Sequence, residues 1–200
     1  MNAKQKIMVI APLVLIAVMY PIFRALAGVM NPRFAWFLGL AVYWIIWGAV
    51  FPLVVIGKEN IRALIRLKKP DTKTLLLIAV PLLGALGSRF LPGMAYEKES
   101  IWIALLVLST PFGNGFFEEL LWRGVYARLF PESVFLRMIW PSIWFALWHY
   151  VPGSVLHGNV VGLMIGAGMM GLYLSYLTKR TDNLFWAILI HTLGGLIVVF

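Results

Sequence analysis

Two hundred residues that are 62% hydrophobic, with a mean hydropathy of +0.88 and nine tryptophans, lie outside the usual soluble range, where roughly half of the residues are apolar. The composition indicates an integral membrane protein. The net charge of +9 does not indicate nucleic-acid binding, because the Lys and Arg residues are spread between apolar runs. The absence of cysteine excludes disulfides, thiolate nucleophiles and cysteine-ligated metals.

Long apolar runs dominate the chain. The first follows Lys4 and Lys6 as the apolar part of a signal peptide would, but it lacks a small-residue cleavage site and continues into more membrane sequence, so we expect a retained first span. Runs near the spanning length of about 20 residues lie at 7–23, 34–56, 74–90, 100–130, 138–151, 158–177 and 184–200. The pattern predicts an all-α fold, a polytopic transmembrane helical bundle of about seven spans in one membrane-embedded domain.

The run at 100–130 is too long for a simple span. It contains Pro111, followed by Gly113 and Gly115. Proline removes a helical hydrogen bond and clashes with the preceding turn. We therefore expect this helix to break or kink at Pro111.

The basic residues between the runs predict the orientation of the bundle. With a cytoplasmic N-terminus, thirteen Lys and Arg residues fall on the cytoplasmic side, and four fall on the other: Arg24, Arg33, Arg89 and Lys98. Cytoplasmic loops carry an excess of Lys and Arg, so we predict a cytoplasmic N-terminus. Residues 57–73 hold six of the basic side chains and form either a helix on the anionic leaflet or an ordinary basic loop.

Four acidic or histidine side chains fall inside the predicted spans, namely Glu118, Glu119, His149 and His191. Such groups are costly in a bilayer, face the bundle interior, pair with one another and mark function. Glu119 and Arg123 are four residues apart, on one helical face, so we expect an ion pair between them. Glu118 is rotated by about 100° from Glu119 on an α-helix, which leaves it free to act as a base.

Glu118, His149 and His191 are expected at one depth in the membrane. Each lies eleven or twelve residues from the cytoplasmic end of its predicted helix. That distance is about 17 Å, near the middle of a hydrocarbon core about 30 Å thick, and it favours a shared site. The alternative is a buried polar network that only orients the helices. It accounts for Glu119 and Arg123 as well as a functional role does, but less well for Glu118 with two histidines.

Three short motifs carry a resemblance to a known family. EELLWR (118–123), FALWH (145–149) and His191 within RTDNLFWAILIHTLGG resemble, in order and spacing, the motifs of the CAAX protease and bacteriocin-processing (CPBP) family of intramembrane proteases. The family pattern is Glu-Glu-x-x-x-Arg, then Phe-x-x-x-His, then His-x-x-x-Asn or Asp. The resemblance covers residues 100–200 and implies a protease core in the last four spans, similar to type II CAAX prenyl endopeptidases. Residues 1–99 then form N-terminal transmembrane helices with the basic cytoplasmic loop 57–73.

The resemblance implies a role for each motif residue. Glu118 would be the general base that activates water, His149 its partner, and His191 would lie near the scissile carbonyl. The members that would support the site are Glu119, Arg123 and Phe145.

One position departs from the family pattern. The residue four after His191 is Gly195, which offers no side-chain donor to an oxyanion hole. Another group must supply that donor, or the activity is weaker or altered. On sequence grounds, Asn159 and Asn183 are the substitutes.

The sequence leaves several hypotheses about the chemistry open. A covalent nucleophile is unsupported, because Ser109 and Thr110 show no base at a recognisable spacing. We expect water attack without a cofactor. Zinc held by two histidines and a carboxylate is the rival, although no His-Glu-x-x-His helix exists.

A membrane scaffold or immunity protein that keeps the motifs as structure is favoured only by Gly195. A proton-coupled transporter is disfavoured by the lack of internal repeats.

The expected partners are the lipid bilayer and a membrane-associated peptide or protein substrate, with no nucleic acid. Prenylated CAAX ends, bacteriocin leaders, peptide pheromones and C-terminal sorting tails all suit a lipid-adjacent site. The prevalence of the resembled family in bacteria and archaea implies a prokaryotic plasma membrane.

Overall fold

The computed structural model describes residues 1–88, 101–156 and 158–199, and these ranges contain helices and connecting segments but no strand. The all-α class predicted from the sequence is therefore confirmed. The α-helices are α1 Ala3–Val29, α2 Pro32–Tyr43, α3 Phe51–Ile56, α4 Lys58–Leu64, α5 Thr72–Ser88, α6 Ile101–Gly113, α7 Tyr126–Leu129, α8 Trp140–Trp148, α9 Tyr150–Gly153, α10 Val160–Thr181 and α11 Phe185–Val199. Wider π-helical segments occupy Trp44–Val50, Asn114–Glu118, Leu120–Val125 and Phe135–Ile139.

Within the described ranges, three helices are long and apolar enough to cross a membrane: Ala3–Val29, Pro32–Ile56 and Val160–Thr181. The shorter helices α5 and α11 are also apolar. The figure of about seven spans stays a prediction, and the predicted boundary between residues 99 and 100 lies outside the described residues. Within the basic segment 57–73, residues 58–64 form α4, residues 65–71 connect the two helices, and α5 begins at Thr72.

The helix containing Pro111 does not break there, while the kink expected at this proline stays a prediction. Helix α6 continues through Pro111 to Gly113, and the π-helical segment follows directly. Proline leaves the carbonyl of the residue four positions earlier without its helical donor. Here the Thr110 hydroxyl donates to the Val107 carbonyl at 2.7 Å, so the polar group that Pro111 frees is satisfied locally.

A second intrahelical proline is compensated by a neighbouring helix. Pro12 lies within α1 and leaves the Met8 carbonyl without a helical donor. The Tyr126 hydroxyl, from α7, donates to that carbonyl at 2.9 Å. In the same way, Tyr173 on α10 donates to the Leu77 carbonyl that Pro81 frees in α5. These bonds set the register between helices where hydrophobic packing against lipid offers little discrimination.

In the described ranges, the connections between helices lie at two opposite ends of the bundle. At one end, Lys4 donates to the Val55 carbonyl at 2.6 Å and Arg180 pairs with Asp71 at 2.7 Å. We call this the basic end; it comprises residues 1–6, 55–73, 128–137 and 178–185. At the other end, Arg24 donates to the Ser154 carbonyl at 3.2 Å.

Replacing Tyr126 with Phe is expected to destabilise the fold. Tyr126 is fully buried, and the substitution leaves the Met8 carbonyl buried without a donor, at a cost of about 1–3 kcal/mol. Thermal unfolding in detergent should show a lower Tm. Tyr176→Phe is the matched control, because Tyr176 is 42% exposed; equal Tm values for both variants would contradict the assigned role of the Tyr126 hydroxyl.

Candidate active site

Two adjacent glutamates lie where one π-helical segment gives way to the next. Glu118 is 1% exposed and Glu119 is fully buried, inside the continuous helical stretch from α6 to α7. A π-helical turn is rare and occurs frequently at functional sites. The helix thus carries two acidic side chains in a buried, distorted stretch, so their partners decide what each can do.

Glu119 is held by a cation and a histidine. Arg123 Nη1 lies 3.0 Å from Glu119 Oε1, and both side chains are buried. His191 Nδ1, from α11, lies 2.8 Å from the same oxygen. Because a carboxylate only accepts, this contact makes Nδ1 the protonated nitrogen of His191. The ion pair expected from the four-residue spacing is therefore present, and it also fixes His191.

Helices α8 and α10 both pack against the guanidinium of Arg123. Phe145 of α8 places its ring 4.2 Å from Arg123 Cζ, a cation–π contact. On α10, a Cβ at Gly171 would lie 3.2 Å from Arg123 Nη2, so only glycine leaves the guanidinium uncrowded. The Phe145 ring also contacts His149 edge-on at 4.5 Å. Phe145 thereby joins the cation to the histidine of the second motif.

Glu118 has a different environment from Glu119. Its Oε1 accepts a hydrogen bond from Trp148 Nε1 at 3.2 Å. Its Oε2 lies 3.8 Å from His191 Nε2, beyond direct hydrogen-bonding distance, and receives no hydrogen bond from any described residue. One oxygen is therefore anchored, while the other is buried and uncommitted.

The indole that anchors Glu118 is itself fixed by aromatic packing. Trp148 stacks on Tyr43 with ring centroids 4.2 Å apart. The Tyr43 hydroxyl accepts from Trp122 Nε1 at 2.8 Å. The three rings come from different helices and are almost completely buried, so the direction of the Trp148 donor is set by the core.

His149 is the C-cap residue of α8 and has a defined tautomer. Its Nδ1 lies 2.7 Å from the Phe145 carbonyl one turn earlier. Since a carbonyl only accepts, Nδ1 carries the proton and Nε2 keeps its lone pair. His149 is thus oriented as a hydrogen-bond acceptor through Nε2.

A cavity of about 340 Å³ brings Glu118 and His149 together. Its other polar side chains are Asn114 and Asn159, and its apolar wall includes Trp36. His191 is not among the lining residues but lies behind Glu118. The structure thus places Glu118 and His149 on the cavity wall and makes His191 a contact of both glutamates.

The two proposed substitutes for the missing donor at Gly195 differ in position. Asn183 lies at the basic end, where it donates to the Arg66 carbonyl and accepts from Phe185 N at the start of α11. It is therefore far from the cavity, and that suggestion was wrong. Asn159 lines the cavity and also caps α10 by accepting from Gly162 N at 2.8 Å.

Asn114 and Trp148 were missed by the sequence analysis. Trp148 could have been suspected, because a buried indole N–H in an apolar span needs an acceptor. Asn114 is four residues before Glu118 and carries a polar amide inside a predicted span, which is the same signal that singled out the glutamates. In the described part of the chain, no group of three or more His, Asp or Glu residues is arranged to hold a metal.

Close contact between two helices brings His191 to the glutamates. A Cβ at Gly115 would collide with the Thr192 hydroxyl and lie 2.9 Å from the Thr192 backbone nitrogen. Thr192 directly follows His191 on α11. The absence of a side chain at Gly115 is therefore what lets α11 approach the helix that carries Glu118.

Gly115→Ala is expected to displace α11 and lower the Tm in detergent, because overpacking costs about 1–3 kcal/mol. Gly194→Ala on α11 is the control, since a Cβ there meets no atom within 4 Å. That control should be neutral, or stabilising by about 0.5–1 kcal/mol. An unchanged Tm for Gly115→Ala would contradict the close contact.

Comparison with known proteins gives one finding. A family model for the type II CAAX prenyl endopeptidases, Rce1-like, matches residues 98–197. No curated protein and no solved structure matches the chain. The match covers half of the chain and includes the two glutamates, Arg123 and both site histidines, so the chain belongs to the Rce1-like family of type II CAAX prenyl endopeptidases.

Proposed function

We propose that this protein is an intramembrane endopeptidase that hydrolyses a peptide bond in a membrane-associated peptide or protein, with water activated by Glu118. Family membership supports a peptidase embedded in the lipid bilayer. The observation that carries the mechanism is the uncommitted Glu118 Oε2, on the wall of a cavity shared with His149. A general base needs an acceptor atom of this kind beside the site where water and substrate meet.

The proposed reaction uses water as the nucleophile. Glu118 Oε2 takes a proton from water while the His149 Nε2 lone pair orients that water through its other hydrogen. The water oxygen bonds to the scissile carbonyl carbon and gives a tetrahedral oxyanion. The carbon–nitrogen bond then breaks, and Glu118 returns its proton to the leaving amine. His191 acts as a positioning residue, because it contacts Glu118 from outside the cavity and is itself held by Glu119.

Asn114 is the proposed donor to the oxyanion. Its Oδ1 accepts from Trp44 Nε1 at 3.0 Å, which commits the amide oxygen and leaves the NH₂ group for another acceptor. Asn114 lies on the cavity wall with Glu118 and His149. Removing one such donor costs about 10²–10³ in kcat in enzymes with an oxyanion hole.

The packing around Gly195 supports Asn114 as the source of the donor that position 195 lacks. A Cβ at position 195 would lie 3.0 Å from Pro111 Cβ, tighter than ordinary van der Waals contact. Pro111 is one turn before Asn114 on the facing helix. The donor missing from α11 is therefore proposed to come from the helix against which Gly195 packs.

Replacing Glu118 with Gln is expected to abolish cleavage without loss of the fold. Glutamine keeps an oxygen acceptor for Trp148 but removes the base, and a general base is worth about 10²–10⁴ in rate. Membrane-peptide profiles of cells carrying the wild-type or Glu118→Gln protein should differ in the uncleaved substrate. The control is Glu132→Gln, an exposed change in the 130–134 hairpin, which should give the wild-type profile.

A wild-type profile for Glu118→Gln would favour a non-enzymatic scaffold. Loss of wild-type cleavage on chelation, restored by zinc, would favour the metal mechanism.

Asn114→Ala is expected to lower kcat by about 10²–10³ with little change in KM, because the lost donor acts on the oxyanion and not on the bound peptide. The assay uses the peptide identified from the Glu118→Gln comparison. Asn159→Ala is the comparison, since Asn159 lines the same cavity. If only Asn159→Ala lowers kcat, the donor assignment is wrong.

A further inference from the structure

The cavity extends from one end of the bundle to the buried glutamate. Its rim includes Gly158 and Asn159, which are exposed and lie in the connection between α9 and α10. Its floor includes Glu118, which is 1% exposed. Trp36, in the first turns of α2, forms part of the wall. A molecule that reaches Glu118 through this cavity therefore comes from the end of the bundle where α10 begins.

The basic end lies on the opposite side of the molecule. Twelve Lys and Arg residues lie at the basic end, in the stretches 4–6, 58–73, 128–137 and 179–180. Contacts that confirm their common location join Gln5 to the Leu129 carbonyl at 2.7 Å and Leu64 to Leu184 N at 2.8 Å.

The cavity end carries far less positive charge. Among the residues that the structure describes, it holds only Arg24 and Arg33. Helix α10 connects the two ends, since it starts beside the cavity rim at Val160 and finishes at the basic end with Lys179 and Arg180. The cavity and the basic end are therefore separated by the length of a helix that is long and apolar enough to span a membrane.

Membrane proteins retain Lys- and Arg-rich connections on the cytoplasmic side, where anionic lipids also attract them. We infer that the basic end is cytoplasmic and that the cavity leading to Glu118 opens on the non-cytoplasmic side of the membrane. This orientation does not depend on catalysis.

If the proposed endopeptidase function holds, the orientation defines the substrate class. The scissile bond must be presented from the non-cytoplasmic side, in a translocated peptide or in the outer part of a membrane-anchored protein. A lipidated C-terminus exposed only to the cytoplasm would not reach Glu118. Among membrane-associated peptides, the site therefore selects those that have already crossed, or that span, the bilayer.

The absence of cysteine allows a direct test of the orientation. Val29 and Leu67 are each 79% exposed and lie at the cavity end and the basic end, so Val29→Cys and Leu67→Cys form a matched pair. Gly158→Cys places a thiol on the cavity rim, where a Cβ meets no atom within 4 Å. Intact cells producing each variant are treated with a membrane-impermeant maleimide, before and after permeabilisation.

We expect Val29→Cys and Gly158→Cys to be labelled in intact cells, and Leu67→Cys only after permeabilisation. Labelling of Leu67→Cys in intact cells, alone or together with the other two, would overturn the inference. So would protection of Gly158→Cys until permeabilisation. If Gly158→Cys does not accumulate, the Val29 and Leu67 pair decides the orientation.

The same variants in the Glu118→Gln background separate this inference from the proposed function. Labelling needs no activity. If Gly158→Cys is labelled in intact cells but Glu118→Gln leaves the peptide profile unchanged, the inferred orientation is supported and the proposed function is wrong. If Glu118→Gln abolishes cleavage but Gly158→Cys is labelled only after permeabilisation, the proposed function is supported and the inferred orientation is wrong.

Discussion

The buried ion pair of Arg123 and Glu119 is the interaction on which the site depends. Two charges inside an apolar bundle are stable only when each compensates the other, and removing one partner of such a pair costs about 3–5 kcal/mol. Because Glu119 Oε1 also meets His191 Nδ1, and Phe145 covers Arg123, the pair fixes α8 and α11 against the helix that carries it. The charge that stabilises the bundle therefore also places the histidine behind Glu118.

The same requirement, that no polar group be left unsatisfied in an apolar surrounding, explains features outside the site. Prolines within α1 and α5 free carbonyls at Met8 and Leu77, and tyrosines on neighbouring helices donate to them. Proline bends or weakens a helix, and the hydrogen bond from the tyrosine hydroxyl then links the weakened turn to the neighbouring helix. Helix register is thus specified by a few polar contacts, while large apolar side chains remain exposed toward the lipid, as Val54 at 74% does.

The sequence predicted a contact between residues close together on one helix, and it did not predict the contacts between residues on different helices. The Glu119–Arg123 pair follows from residues four apart on one helix. The contact of Glu119 with His191 joins residues 72 apart, and a span that is apolar all round gives no periodic signal of which face meets which neighbour. Trp148 was passed over for the same reason, since its acceptor lies on another helix. The suggestion of Asn183 failed because its amide caps α11 and binds loop backbone, a use that composition alone does not reveal.

The proposed difference in function between the two glutamates follows from the different charges of their partners. Glu119 faces a guanidinium at 3.0 Å, so its negative charge is matched permanently and a transferred proton would break the ion pair. Glu118 faces an indole N–H, which is neutral, and the Nε2 of His191 at 3.8 Å. Neither contact requires Glu118 to stay charged, so Glu118 can gain and lose a proton without disrupting the packing of the helices. The cavity reaches Glu118 and not the ion pair beside it, so the proposed chemistry would fall on the one acid of the pair whose charge the fold does not need.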